Sequence, residues 1–131
     1  MASSETVIKF ESVTFEYVHP KIILDDVTFN VRSGKKITLM GQNGAGKSTI
    51  FQLINKDIEP KYGKIHTPDG ATIATAFQVM PKEDKELNVQ EYFRKYSQDK
   101  ESFNIDKDIA EVLRAVNLDA PLDKIIDKFS G

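Results

Sequence analysis

Two stretches near the start of the chain alternate apolar and polar residues. Residues 13–17 (VTFEY) and 27–31 (VTFNV) each place an apolar side chain at every second position. This period of two predicts two half-buried β-strands. The sequence His19-Pro20-Lys21 between them predicts a turn, because proline restricts its own backbone and that of the preceding residue. The chain is therefore predicted to begin with an antiparallel β portion.

The pattern changes after a second predicted turn at Ser33-Gly34. Residues 36–40 (KITLM) form a short, mainly apolar run, which predicts a buried strand. From 47 to about 55 the apolar residues follow helical spacing, with Ile50 and Ile54 four positions apart. This spacing predicts a helix with one apolar face.

The remainder of the chain changes from short strands to helices. Two strands are expected at about 64–67 and 72–77, separated by the turn sequence Pro68-Asp69-Gly70. Residues 82–86 (KEDKE) are read as a solvated, charged loop. One helix is expected to begin after Asn88, a suitable N-cap with Glu91 three residues later. Another is expected from about residue 106 and to be closed by Pro121.

Composition limits the class of protein without identifying it. The 131 residues are 40% hydrophobic and 29% charged, with a net charge of −2, as in one ordinary globular domain. No apolar run approaches the roughly 18 residues that a membrane helix needs, and the first residues lack a secretory pattern. The chain contains no cysteine, which excludes disulfide and thiolate chemistry. We expect a cytoplasmic protein without a transmembrane segment.

The most informative stretch is GQNGAGKST at residues 41–49, here called the glycine loop. It contains the pattern G-x-x-x-x-G-K-[ST], with Gly41, Gly46, Lys47 and Ser48 at the fixed positions. Glycines let the chain curl so that successive N–H groups form a concave anion site. The start of the predicted helix adds partial positive charge. At average residue usage, a chain of this length would match by chance in about 0.5% of cases.

The glycine loop predicts a site for a nucleotide triphosphate and Mg²⁺. Lys47 is expected to reach the β- and γ-phosphates, and the Ser48 hydroxyl to ligate the metal. Small residues at Gly44 and Ala45 keep side chains away from the anion. The predicted nucleotide-binding residues of the loop are Gly41, Gln42, Asn43, Gly44, Ala45, Gly46, Lys47, Ser48 and Thr49.

With these residues in view, the sequence resembles the ATP-binding-cassette (ABC) ATPases. The glycine loop is close to that family's form of the Walker A motif. The preceding segments ILDDVTF at 23–29 and SGKKI at 33–37 are similar to its lead-in strand and turn. The resemblance extends from about residue 7 to the end. It implies ATP as the nucleotide and Mg²⁺ as its metal.

The resemblance also implies roles outside the loop. Tyr17, 30 residues before Lys47, matches the aromatic residue that stacks on adenine. Gln78, 31 residues after Lys47, matches the glutamine that reaches the metal and the attacking water. Lys47 and Gln78 are thus the catalytic candidates. The final Ser130-Gly131 resembles the opening of the signature sequence, which faces a nucleotide held by a second cassette.

The short stretch between Lys47 and Gln78 resembles the ABC-F group, whose members act in translation. The chain lacks the long charged insertion between Gln78 and Ser130 that the first cassette of that group often carries. The resemblance therefore leaves two kinds of partner open, a ribosome or a membrane subunit.

The groups that the family uses for hydrolysis are not found in the sequence. These are an aspartate–glutamate pair after the signature and a later histidine, whereas His19 and His66 both precede the signature position. We expect an incomplete ABC cassette, residues 1–131 of one domain, completed by a C-terminal half or complementing chain and by a second cassette. The implied fold is α/β: a P-loop NTPase core with an N-terminal antiparallel β subdomain (about 1–83), and a helical subdomain (about 84–128).

Two alternatives remain open at this point. The first is a self-sufficient P-loop kinase or GTPase, although Asn55-Lys56-Asp57 lacks the spacing of a guanine-recognition motif. The second is a non-catalytic interaction module that binds nucleotide as a structural ligand.

Overall fold

The computed structural model describes residues 5–97 and 104–129. It divides into two compact units, Met1–Ala74 and Thr75–Gly131, which are described separately. The first, the sheet unit, contains strands β1 (Thr6–Val18), β2 (Lys21–Arg32) and β3 (Tyr62–His66) and helix α1 (Lys47–Ile54). The second, the helical unit, contains α2 (Lys82–Lys85), α3 (Val89–Tyr96), α4 (Ile105–Ala115) and a 3-10 turn (Ile126–Lys128).

The three strands form one antiparallel sheet in the order β2-β1-β3. The predicted turn at His19-Pro20 joins β1 to β2, so these consecutive strands pair as a hairpin. Phe10 lies opposite Phe29, and their rings stack with centroids 4.5 Å apart. The predicted strands at 13–17, 27–31 and 64–67 are confirmed, the first two as parts of longer strands.

Strand β3 approaches β1 closely at Gly63. A Cβ atom at this position would lie 2.3 Å from the Ser12 carbonyl oxygen and 2.4 Å from that of Glu11. Gly63 also has a φ of +86°, which L-residues with side chains rarely adopt. The contact occurs where the β1–β3 register shifts between Glu11 and Thr14. Glycine is therefore required at this irregularity.

The core of the sheet unit lies between the sheet and α1. Its buried side chains come from β1 and β2, with Ile50 and Leu53 from the helix; the strand residues are Phe10, Val13, Phe15 and Leu24. Burying each side chain of this size contributes about 1.5–3 kcal/mol. The predicted helix over 47–55 is confirmed, and packing on the sheet fixes which of its faces is covered.

The helical unit contains a second apolar core. Asn88 Oδ1 accepts from the Glu91 backbone N–H, and Glu91 Oε2 accepts from the Asn88 backbone N–H, both at 2.8 Å, so the predicted capping box is confirmed. Val89 of α3 packs with three buried residues of α4, which are Ile105, Ile109 and Leu113. Helix α4 ends at Ala115, earlier than Pro121, because Asn117 adopts a φ of +56°.

The charged stretch 82–86 was predicted to be a loop, but residues 82–85 form the single helical turn α2. Asp84 is its buried residue, with 1% of its surface exposed. It accepts hydrogen bonds from Lys95 Nζ and from the Tyr96 hydroxyl, both at 2.5 Å. Those two donors hold the pKa of the Asp84 carboxyl below its usual value. Residues of α3 thus supply the hydrogen-bond partners of the buried Asp84 carboxylate. The charge pattern of residues 82–86 alone does not reveal these partners.

Two predicted strands are absent from the described residues. Residues 36–40 and 72–77 have no regular secondary structure, and no strand of the described chain pairs with either. Their apolar side chains are largely exposed, for example Met40 at 85%. An apolar run becomes a strand only when a neighbour accepts its backbone hydrogen bonds. The predictions for these two segments were therefore wrong.

Candidate functional site

The end of the glycine loop is seated on strand β2. Gly46 precedes α1 with a φ of +97°, and a Cβ atom there would lie 3.0 Å from Leu24 Cδ2 and 3.1 Å from Ile23 Cγ2. A side chain would therefore meet both conformational strain and the packed surface of β2. The Ile50 N–H bonds the Gly46 carbonyl at 3.1 Å, which begins the helix directly at the loop.

The middle of the loop is open. Gly44 has a φ of +83°, and no atom lies within 4 Å of the position its Cβ would occupy. The Ala45 N–H bonds the Gln42 carbonyl at 3.1 Å and closes the turn. The loop thus combines a tight backbone path with free space above Gly44, as an anion cradle requires.

Lys47 is the first residue of α1, and its side chain folds back over the loop. Its Nζ atom donates to the carbonyl of Gly41 and, at 2.8 Å, to that of Gln42. These bonds hold a positive charge beside the loop backbone. Ser48 follows in the first helical turn and is exposed. The first N–H groups of a helix have no partner within it, so this end favours an anion.

Tyr17, at the end of β1, lies beside the same loop. Its hydroxyl donates to Gln52 Oε1 at 2.7 Å and lies 3.2 Å from Thr49 Oγ1. Its ring meets Phe15 edge-on, with centroids 4.8 Å apart, and 57% of the residue is exposed. The ring is therefore anchored at its hydroxyl and accessible over much of its surface.

A cavity of about 290 Å³ joins these features. It is lined by Tyr17, Lys21, Ile23, Asn43, Gly44, Gly46, Lys47, Ser48 and Thr49. The wall thus contains an aromatic ring, two lysines and the glycine-loop backbone, and no acidic residue. This composition suits a ligand that has a flat apolar part and several negative charges.

Sequence reasoning missed Lys21 and Gln52 near this site. Lys21 begins β2 and pairs with Val18 across the hairpin, so the turn brings it to the cavity. Gln52 lies on α1, one turn beyond Ser48. The spacing of three between Thr49 and Gln52 on a predicted helix indicated that these two residues share a face. Helical spacing alone does not reveal that Tyr17 is the hydrogen-bond partner of Gln52.

The remaining predicted site residues outside the glycine loop do not belong to the described part of the sheet unit. Gln78 belongs to the helical unit, where it is exposed in a segment without regular structure. Ser130 and Gly131 lie outside the described residues. His19 lies 3.4 Å from Glu16, and His66 lies 2.9 Å from Glu11; both imidazoles are exposed.

In the ranges 5–97 and 104–129, no three His, Cys, Asp or Glu side chains are grouped so that they could hold a metal. Across the same ranges, no helix has both the length and the apolar character needed to cross a bilayer.

Comparison with known proteins gives the family. The family model described as "ABC transporter" matches residues 24–131. An iron-sulfur clusters transporter ABCB7, mitochondrial, from Danio rerio is 44% identical over 62 residues, which are 47% of this chain and 8% of that protein. The chain thus spans only a small part of that relative's length.

Solved structures agree in fold. An ATP binding subunit of an ABC transporter has a TM-score of 0.71 at 23% identity, over 95% of this chain and 56% of that one. CbiO1 from Clostridium perfringens, part of the ABC transporter complex cbiONQ, has a TM-score of 0.68 at 20% identity, over 96% and 56%.

The chain belongs to the ABC transporter family and matches its ATP-binding domain. Its fold is α/β, with an N-terminal antiparallel sheet, a P-loop leading into a helix, and further helices. The resemblance drawn from the glycine loop is confirmed.

Proposed function

We propose that this chain binds ATP with Mg²⁺ at the glycine loop, with adenine stacked on Tyr17. The observation that supports this most directly is the single cavity that includes Tyr17, Lys47 and Ser48. An aromatic ring suits a base, and a cationic glycine loop suits a triphosphate. Tyr17, predicted to contact the base, and Lys47 and Ser48, predicted to contact the phosphates and the metal, therefore line the same cavity.

The residues of the loop divide the binding task. The ammonium of Lys47 makes charge-assisted contacts to phosphate oxygens, which are stronger than neutral hydrogen bonds. The open space above Gly44 admits the anion close to the backbone N–H groups. Ser48 presents a hydroxyl oxygen, a donor type that Mg²⁺ accepts. When bound, Mg²⁺ neutralises negative charge on the phosphates.

We propose that hydrolysis requires groups beyond residues 1–131. Phosphoryl transfer to water needs a residue that orients the water and carboxylates that hold the metal. Among the described residues, the wall of the cavity has no acidic side chain that could hold the metal. In the complete cassette Gln78 would approach the metal, and Ser130 and Gly131 would face the nucleotide of a second cassette.

The domain organisation and partners follow from the same proposal. Residues 1–83 would be the nucleotide-binding core and 84–128 the helical subdomain of one cytoplasmic ABC cassette. A second cassette and a membrane subunit would be its partners, since the relatives carry transporter names. Co-purification with a membrane protein would support this, whereas co-purification with ribosomes would favour a role in translation.

Calorimetric titration of the full chain tests the binding proposal. With Mg²⁺ present, ATP and tripolyphosphate should both bind, and each should displace the other. Tyr17→Ala should weaken ATP binding about 5- to 30-fold, within the range for base–aromatic stacking, and leave tripolyphosphate binding unchanged. Tyr62→Ala removes another exposed tyrosine of the sheet unit and is the matched control. No binding of either ligand would refute the proposal.

A second assay addresses hydrolysis. Phosphate release from ATP should be absent for residues 1–131 and should appear when a C-terminal cassette polypeptide is added. Turnover by the chain alone would instead indicate a self-sufficient enzyme.

A further inference from the structure

The hydroxyl group of Tyr17 is fixed by two side chains of α1. It donates to Gln52 Oε1 at 2.7 Å and lies 3.2 Å from Thr49 Oγ1. A phenol carries one proton, so the Thr49 hydroxyl is the donor in the second bond. The polar end of Tyr17 is therefore tied to the helix that begins at Lys47.

The two anchors have different surroundings. Thr49 is buried, with 4% of its surface exposed, so its replacement would disturb the packing beneath the helix. Gln52 lies three residues further along the same face and is exposed. Gln52 can therefore be changed with little effect on the core, which makes its contact with Tyr17 separately testable.

The contact matters because of what the Tyr17 ring does at the cavity. A tyrosine with a free hydroxyl can rotate away from the cavity wall, and immobilising such a side chain on binding costs affinity. The hydrogen bond to Gln52 restricts the Tyr17 side chain before a ligand binds, which lowers this cost. Phe15, also on β1, contacts the Tyr17 ring edge-on and supports it. The ring is thus pre-positioned beside the loop.

We propose that Gln52 is a positioning residue for base recognition, which acts by holding the Tyr17 ring in the orientation that stacks on adenine. This inference rests on the proposed function and extends it to a residue outside the wall of the cavity. Through Gln52 and Lys47, helix α1 connects the base side of the site to the phosphate side.

The test compares the affinities for ATP and for tripolyphosphate, each with Mg²⁺, in the full chain. Gln52→Leu and Tyr17→Phe should each weaken ATP binding roughly two- to tenfold, the cost of ordering one free side chain. Tripolyphosphate binding should not change. Gln52→Glu should restore the ratio of ATP to tripolyphosphate affinity, because a carboxylate also accepts the phenol proton and its added charge acts on both ligands. The double variant Tyr17→Phe, Gln52→Leu should lose no more than either single variant.

The control is Gln90→Leu, which removes a hydrogen-bonded glutamine of the helical unit and should change neither affinity. An unchanged ATP affinity in Gln52→Leu would overturn the inference and leave the proposed function standing. An equal loss for both ligands would also overturn it, since that result would mean that Gln52 only stabilises α1. Failure of the unaltered chain to bind either ligand would refute the proposed function and this inference together.

Discussion

The two flanks of the glycine loop differ in how they are held. Residues 36–40 lead into the loop without regular structure, and Met40 is 85% exposed. Helix α1 leads out of it with Ile50 and Leu53 buried on the sheet. Both flanks are rich in apolar residues, so composition does not separate them.

The difference lies in where each flank finds its backbone partners. A helix satisfies its own N–H and C=O groups within a few residues, and then packs one face. A strand depends on a neighbour, which a parallel sheet brings only after a long crossover. Strands β1 and β2 meet this need through a short turn, whereas residues 36–40 have no partner among the described strands. The glycine loop is therefore firmly supported on its helical side only.

The largest effect that this comparison predicts is on folding. Leu53→Ala should lower the free energy of unfolding by about 2–5 kcal/mol, because it leaves a cavity in the sheet-unit core. Met40→Ala, on the other flank, should change it by less than about 0.5 kcal/mol. Chemical denaturation followed by circular dichroism measures both. A comparable loss of stability for Met40→Ala would show that residues 36–40 are buried in solution. It would contradict the predicted difference between the two flanks.

The next effect concerns Lys47, which links the two flanks by reaching from α1 to the carbonyls of Gly41 and Gln42. Lys47→Ala should weaken ATP binding by roughly 10- to 150-fold, or about 1.5–3 kcal/mol, the range for hydrogen bonds to charged groups. Calorimetry measures the affinity. Lys64→Ala, an exposed lysine of β3, should leave it unchanged. Equal affinity for Lys47→Ala and the unaltered chain would remove the loop from the binding site.

A smaller effect separates two glycines within the loop. Alanine at Gly44 or Gly46 should cost about 1–2 kcal/mol of stability, because both positions have positive φ. Gly46→Ala should cost about 1 kcal/mol more, since its methyl would press on Ile23 and Leu24. Thermal melts of the two variants give the difference. A larger loss for Gly44→Ala would mean that the loop is not seated on β2.

The last predicted effect is a loss of stability that appears only on acidification. It lies in the helical unit, which provides a reference outside the sheet unit. Lys95 and then Tyr96 lower the pKa of Asp84, so its contribution to stability is present above the ordinary value of about 3.9 and is lost as the pH falls below it. The hydrogen-exchange protection factors in α3, which compare the observed rate with the intrinsic rate at each pH, should therefore fall on acidification toward pH 3. Asp84→Asn should remove most of this pH dependence.

The matched control for this pH series is Glu11→Gln. Lys9 and then His66 lower the pKa of Glu11. The Lys9–Glu11 ion pair is solvent-exposed and screened, so its removal should change the pH dependence of stability little. A pH dependence in α3 that persists unchanged in Asp84→Asn would contradict the assignment to Asp84.

Local signals in the sequence were enough to predict the hairpin, the glycine loop, helix α1 and the capping box of α3. Each depends on residues close together along the chain, such as Asn88 and Glu91. The errors at 36–40 and 72–77 arose because strand formation depends on a distant neighbour. The turn α2 was missed because Asp84 is stabilised by Lys95 and Tyr96, whose positions depend on how α3 packs.

The candidate site follows the same division. The spacing around Lys47 indicated the loop, and the family resemblance indicated Tyr17. The contact of Tyr17 with Gln52 could not be predicted, because it joins residues 35 positions apart through the packing of α1 on the sheet. The roles of Gln78, Ser130 and Gly131 stay predictions.

The close approach at Gly63 also limits how this protein can change. The neighbouring atoms are backbone carbonyls of β1, so no adjustment of a side chain could make room for even one methyl group. In a saturation library at this codon, we expect every one of the nineteen replacements to be lost from the folded population. Strand β3 therefore has a position that tolerates glycine alone, although this position lies outside the glycine loop.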